Sequence, residues 1–409
     1  MALNSILMPV TSAPAAIASR HSLSQHAKVS AFELLCACCT SREERSRGKQ
    51  LLLESAIDWP GLIKLAEQHD VLPLLHRNLA AVAGSVPAHV LENLAVAYRR
   101  NAQKNLRLTY ELLRILECLK SQSIAAVAYK GPLLAEEVYG DVALRQFSDL
   151  DILIDPADLA GATAAIAPLG YVLSSGMTAA QERAYVASGY ERSFDGPLGP
   201  NILELQWRIL PRFYSVDLSV PSLFARSSRT VLAGKTILTL SPEDLLHVLC
   251  VHAAKHAWAR LSYLCDIAAT MSTQPINFES VLQRTRELGI ARIVGVSLWL
   301  THQMLKVPLP HCWGDHIRSD RQVEVLGKHV QKTLSEGSQP HPESPDYFRL
   351  MLRLRERPAD RWRFVSRLVF TPSVGEWSAV RLPAPLFPAY RAIRLVRLAG
   401  RPFRCKHRE

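Results

Sequence analysis

The run Phe147-Ser148-Asp149-Leu150-Asp151-Ile152-Leu153-Ile154-Asp155 constrains this chain more than any other segment. Its polar and apolar residues alternate with a period of two, the pattern of a β-strand. In a strand, residues i and i+2 share a face, so Asp149 and Asp151 present two carboxylates side by side. Phe147, Leu150, Ile152 and Ile154 around them place that strand centrally in a sheet. Two neighbouring carboxylates in apolar surroundings repel, and each raises the other's proton affinity. A divalent cation removes that conflict, and hard oxygen ligands with open positions suit magnesium, or manganese, carrying a polyphosphate. Alone, an Asp-x-Asp also reads as a strand end with two solvated acids.

Three neighbouring features favour the chemical reading. Ile124 to Tyr129 is a short apolar run that ends in Lys130-Gly131-Pro132 and opens a helix over 133–139. A glycine there lets phosphate approach backbone N–H groups, and a helix N-terminus favours anions. Arg145 and Ser148 stand just before the acids, placed to contact phosphate. Ile202-Leu203-Glu204-Leu205 puts a further carboxylate on an apolar strand. Three carboxylates from two adjoining strands make a cradle for two metal ions, able to deprotonate a hydroxyl and stabilise departing pyrophosphate in an in-line displacement.

The segments Tyr129-Lys130-Gly131, Arg145-Gln146-Phe147-Ser148-Asp149-Leu150-Asp151-Ile152-Leu153-Ile154 and Leu203-Glu204-Leu205-Gln206-Trp207-Arg208 together resemble the uncharacterised nucleotidyltransferase family of the DNA polymerase β-type superfamily. The likeness extends over Leu246 to Asp266, with His247, His252, Lys255, His256, Trp258 and Asp266, and over Trp59 to Asn78 and Phe370 to Arg397. The resemblance implies an α+β fold: a polymerase β-type mixed sheet flanked by N-terminal and C-terminal helical regions. It implies magnesium and a nucleoside triphosphate such as ATP. By position, Asp149 and Asp151 would hold both metals. Glu204 would hold the catalytic metal and help activate an acceptor hydroxyl, and Gly131 would lie under the triphosphate. One departure stands out. The superfamily usually follows its first glycine with glycine or serine, and here Pro132 follows. The phosphate contacts then fall to Lys130, Arg145 and Ser148.

The boundaries expected along the chain are a disordered leader over 1–27, a helical region over 28–120, the transferase core over 121–240, helices over 241–334, a Ser/Pro/Gly-rich linker over 335–345 and a basic helical tail over 346–409. Asp58-Trp59-Pro60 and Ser241-Pro242-Glu243-Asp244 carry the cap, first-turn proline and first-turn acid of helix starts. Leu106, Tyr110, Leu113, Leu116 and Cys118 are expected on or near one face of the helix over 90–120. Strands are also expected near 171–174, 190–194 and 202–208.

The net charge is +11. The stretch from Arg349 to Glu409 holds fifteen Lys and Arg against four Asp and Glu, so it carries the whole excess and the rest of the chain is neutral. That points to a local anionic contact, with nucleic acid the weaker candidate. Leu386, Tyr390 and Ile393 could line one face of a tail helix beside Arg391, Arg394, Arg397 and Arg401, as suits an anionic membrane surface. The chain has eight cysteines. They read as reduced thiols of a cytoplasmic protein, and Cys36, Cys38 and Cys39 as packing before metal ligation.

His252 and His256 lie four apart on one predicted helix face, but Ala253 occupies the place where a zinc protease needs glutamate. They either contact phosphate or acceptor together with Lys255, or are structural near Trp258 and Asp266. Trp207 and Trp258 read as packing residues. The leading function is metal-dependent transfer of a nucleoside monophosphate from a triphosphate to an unidentified hydroxyl acceptor. The alternatives are an Asp-x-Asp glycosyltransferase, which leaves Lys130, Gly131, Arg145 and Glu204 unexplained, and a non-catalytic nucleotide- or partner-binding module, to which Pro132 points.

Overall fold

The computed structural model describes residues 30–40, 57–337 and 344–404. The expected leader, the 338–343 part of the expected linker and Cys405 lie outside the described residues. The fold is α+β, built on a seven-stranded mixed sheet. Its strands are β1 (Ala126–Ala128), β2 (Leu150–Ile154), β3 (Val172–Leu173), β4 (Glu191–Gly196), β5 (Gly199–Gln206), β6 (Ser228–Leu232) and β7 (Lys235–Thr239), in the order β3-β4-β5-β2-β1-β7-β6. The β6–β7 hairpin is absent from the sequence expectations. Its turn, Ala233-Gly234, has φ values of 45° and 77°, the left-handed backbone of a two-residue hairpin loop.

β2 is buried along its whole length, as its apolar run requires. It pairs antiparallel with β1 and parallel with β5, with Asp151 opposite Glu204 and Ile152 opposite Leu205. The sheet's alternation divides the strands between two cores. Leu150, Ile152, Ile154, Leu203 and Leu205 pack against Leu108, Leu112, Ile115 and Leu119 of the long helix Ala88–Ser121 and against the helix Leu159–Ile166. Val127, Tyr129 and Leu153 point the other way, into the core shared with the helices Pro242–Lys255, Leu261–Thr273 and Ala291–Leu305. The acids lie on this second face, so they look toward the helical region.

The long helix corrects one sequence expectation. Leu106 and Tyr110 are 60% and 67% exposed, and the buried face runs Asn101, Asn105, Leu108, Leu112, Ile115, Leu119. The two asparagines have a structural task. Asn101 Nδ2 donates to the carbonyls of Ala143 and Arg145 at 2.9 and 3.0 Å, and Asn105 Nδ2 to those of Val142 and Arg145 at 2.6 and 2.8 Å. A loop that leaves sheet and helix has orphan carbonyls, and here the helix supplies their donors. Gln146 Oε1 also accepts from the Leu72 N–H at 3.1 Å. The loop leading into Asp149 is therefore pinned from two directions.

The tail packs onto the domain rather than standing as a free basic helix. Tyr390 is fully buried and its hydroxyl joins Gln181 Nε2 and the Val380 carbonyl, each at 2.6 Å. Arg394 and Arg397 both pair with buried Glu376, at 3.0 and 2.9 Å. Leu386, expected to share one face of a tail helix with Tyr390 and Ile393, lies in the segment before the helix Tyr390–Arg404 and is 53% exposed. No described helix is long and apolar enough to cross a membrane. The helix Ala31–Cys39 buries Cys36, Cys38 and Cys39 among core side chains, and burial holds all three thiols protonated.

Candidate active site

β1 ends at Ala128 and the chain turns sharply at Gly131, whose φ is +57°. A Cβ there would stand 3.4 Å from the Asp149 carbonyl oxygen. That is ordinary van der Waals contact, so glycine is needed here for its φ, which only it adopts without cost. The turn aims Lys130 into the crevice. Its ammonium lies 3.5 Å from Asp151 Oδ1 and 3.3 Å from His252 Nδ1. The helix Gly131–Tyr139 begins with no side-chain cap, and Pro132 in its first turn contributes no N–H.

Asp151 and Glu204 are directly opposed in the parallel β2–β5 register. Cα partners on neighbouring strands carry their side chains to the same side of the sheet. The single amide of Gln206 ties the two acids together, donating to Asp151 Oδ1 at 2.7 Å and to Glu204 Oε2 at 3.0 Å. Tyr129 donates its hydroxyl to Gln206 Oε1, which fixes the orientation of that amide. Asp149 falls one residue before β2 rather than within it, at the end of the pinned loop. It is near enough to Asp151 that the two carboxylates repel.

A fourth carboxylate, missed in the sequence reading, completes the cluster. Glu191 opens β4 opposite Gln206 and lies 3.5 Å from its amide nitrogen. Lys255 is the second cation, with Nζ 3.3 Å from the Tyr190 hydroxyl and over its ring. The signal that could have found Glu191 is the hairpin register: a Tyr-Glu pair opening one strand, with its partner strand ending in Glu204-Leu205-Gln206.

The charges do not balance. Four carboxylates face two ammonium groups in a crevice largely closed to water. Burial first, then Glu191 and the two aspartates, push the Glu204 carboxyl up to about 9. Burial also raises Glu191 and Asp149. Burial lowers Lys255, although Glu191 opposes the shift. His252 is held neutral by burial and by Lys130, so its Nδ1 accepts from the ammonium.

The other expected residues are placed as follows. Arg145 carries its guanidinium fork on Asp266, with Nε 3.0 Å from Oδ1 and Nη2 2.9 Å from Oδ2, and Asp266 also accepts from Tyr139. That fork is engaged between the loop and the helix Leu261–Thr273, not open to a phosphate. Ser148 is exposed one residue before Asp149. His256 packs between His252 and Tyr263, its pKa lowered to about 3 by burial. His247 is fully buried 3.3 Å from the Val281 carbonyl, away from the acids. Trp207 and Trp258 are packing residues, with their indole N–H groups donating to the Val186 carbonyl and to Ser297.

Among the described residues, no three His, Cys, Asp or Glu side chains already stand as a metal-binding group. The Gln206 amide occupies the space between Asp151 and Glu204, and Lys130 covers Asp151. The donor chemistry nevertheless fits a hard divalent cation: oxygen ligands only, excess negative charge, and protons retained where a cation would displace them.

Residues 55–306, more than half of the chain, match the family described as uncharacterised nucleotidyltransferase. No curated protein and no solved structure matches the chain.

Proposed function

The chain belongs to the uncharacterised nucleotidyltransferase family, and from that premise we propose that it transfers a nucleoside monophosphate from a nucleoside triphosphate to a hydroxyl acceptor, releasing pyrophosphate. The observation that carries the reading is the opposition of Asp151 and Glu204 across β2 and β5, with Asp149 beside them. Those three carboxylates would hold the divalent ion, magnesium or manganese. When bound, the ion supplies charge neutralisation for the triphosphate and for the pyrophosphate that departs. The Gln206 amide must swing away from the acids to admit it.

The chain's own residues account for the remaining work. Lys130 moves from Asp151 to the β- and γ-phosphates, and His252 holds it in reach. The Gly131 turn brings the triphosphate against the start of the helix Gly131–Tyr139. The acceptor oxygen attacks the α-phosphorus, the bond from that phosphorus to the bridging oxygen of pyrophosphate breaks, and the hydroxyl proton passes to Glu204. Glu204 can take that proton only once ionised, and the bound cation would ionise it by displacing the proton that its buried surroundings otherwise retain. Arg145 acts through structure, keeping the Asp149 loop fixed to Asp266.

A specific observation favours a second reading, a nucleotide-binding module without turnover: Pro132 removes a donor from the helix start, and the acids are bridged by an amide. Pyrophosphate release separates the two. The full chain is incubated with magnesium, each of the four triphosphates and a cell extract supplying acceptors. The transferase reading expects release by the wild type and none by Asp151→Asn or Glu204→Gln, with both variants folded. Triphosphate binding with no release under any condition would establish the second reading instead.

A further inference from the structure

A cavity of about 660 Å³ lies beneath the C-terminal segment, walled by the helices Ala179–Ser188, Pro358–Phe370 and Val374–Ala379 and by the start of the tail helix. None of the acid-cluster residues lines it. Its charged side chains are Arg212, Arg367 and Arg391, and its aromatic walls are Phe370, Trp377 and Phe387. Arg208 stands nearby, its guanidinium disfavoured first by burial and then by Arg212. Against these four arginines the structure sets one carboxylate, Asp217, which pairs with Arg367 at 2.9 Å. Arg208, Arg212 and Arg391 pair with no carboxylate among the described residues. Among the described residues, the one side-chain hydrogen bond of Arg212 is a long contact of 3.4 Å to the Ala187 carbonyl. The indole N–H of Trp377, 5% exposed, has no hydrogen-bond partner among the described residues.

Clustered like charges carry a repulsive cost unless an anion relieves it. Planar guanidinium forks suit phosphate and carboxylate. The Phe370, Trp377 and Phe387 rings offer apolar surface to whatever carries that anion. We propose that this cavity binds an anionic amphiphile, a phosphate or carboxylate joined to an apolar or aromatic body, with Arg212 and Arg391 on the anion. The chain connects the cavity to the acid cluster. Arg208 follows Gln206 by two residues and its N–H bonds the Tyr190 carbonyl, while the Tyr190 hydroxyl meets Lys255. The proposed binding stands apart from the transferase reading.

The test is calorimetric titration of the full chain with 1-naphthyl phosphate, inorganic phosphate and 1-naphthol. Naphthyl phosphate should bind at least about tenfold tighter than either fragment, and added salt should weaken it. Arg212→Gln combined with Arg391→Gln, both exposed positions, should lower its affinity about tenfold or more. Lys130→Gln should leave it unchanged. Equal binding by the double variant, equal binding of naphthol, or loss in Lys130→Gln would each overturn the assignment. Co-sedimentation with phosphatidylglycerol vesicles, lost in the double variant, would identify the anion as a lipid headgroup. Naphthyl phosphate binding without co-sedimentation would identify a soluble ligand. Pyrophosphate release lost in Asp151→Asn but with no naphthyl phosphate binding refutes the cavity alone. Binding without release in any extract refutes the transferase alone.

Discussion

Replacing Glu204 by glutamine should stabilise the fold while removing the activity. In the folded chain the Glu204 carboxyl is pushed up to about 9, whereas an unfolded glutamate titrates near 4.3. Between those values the folded state holds a proton that the unfolded state has released. Stability therefore falls as pH rises through that window and levels off above it. One such proton corresponds to a stability loss of up to about 3 kcal/mol between pH 6 and pH 8. Glu191 and Asp149 are raised in the same direction and share part of the slope. Glutamine keeps the neutral form and its contact with Gln206, so the Glu204→Gln protein should lose distinctly less stability over the same range. Urea unfolding at pH 6, 7 and 8 measures this directly. Magnesium should restore wild-type stability at pH 8 and release protons on binding, and should do neither fully in the variant. Identical pH slopes in the two proteins would refute the electrostatic reasoning.

Three other outcomes follow from the geometry. Gly131→Ala should cost about 1–2 kcal/mol, because a residue with a side chain at φ +57° is strained, and relaxation of that turn should weaken triphosphate binding; melting curves with titrations check both. Arg145→Met strands buried Asp266 and should cost about 3–5 kcal/mol; a variant of unchanged stability with a raised KM for triphosphate would return Arg145 to phosphate binding. Arg394→Gln removes one of the two guanidinium groups paired with buried Glu376, which keeps Arg397 and the Ser373 N–H and hydroxyl. It should cost about 3 kcal/mol and open the tail to limited proteolysis before the rest of the chain.

Sequence reached the acids because their signal is local. Period-two alternation fixes which side of a strand Asp151 and Glu204 take, and a parallel register then brings them together. The partners of those acids were less visible. Gln206 is uncharged and carries no catalytic signature until the β2–β5 register places its amide between two carboxylates. Glu191 depends on the β4–β5 hairpin register in the same way. The Arg145–Asp266 pair spans 121 residues of sequence, and no local pattern marks it. The long helix misled for a different reason. Its inner face holds Asn101 and Asn105, so an apolar-stripe reading took Leu106 and Tyr110 for core when the polar residues were facing inward to serve loop carbonyls. Tail arginines look alike in sequence, and only the fold distinguishes buried Arg394 from exposed Arg391.

The most direct test of the central claim is a crystal structure of the chain with manganese and a non-hydrolysable triphosphate, read by anomalous scattering. The account predicts an anomalous peak in contact with Asp149, Asp151 and Glu204, the Gln206 amide turned away, and Lys130 on the phosphates. A triphosphate bound elsewhere, or a metal peak that leaves Asp151 and Glu204 joined through Gln206, would contradict it.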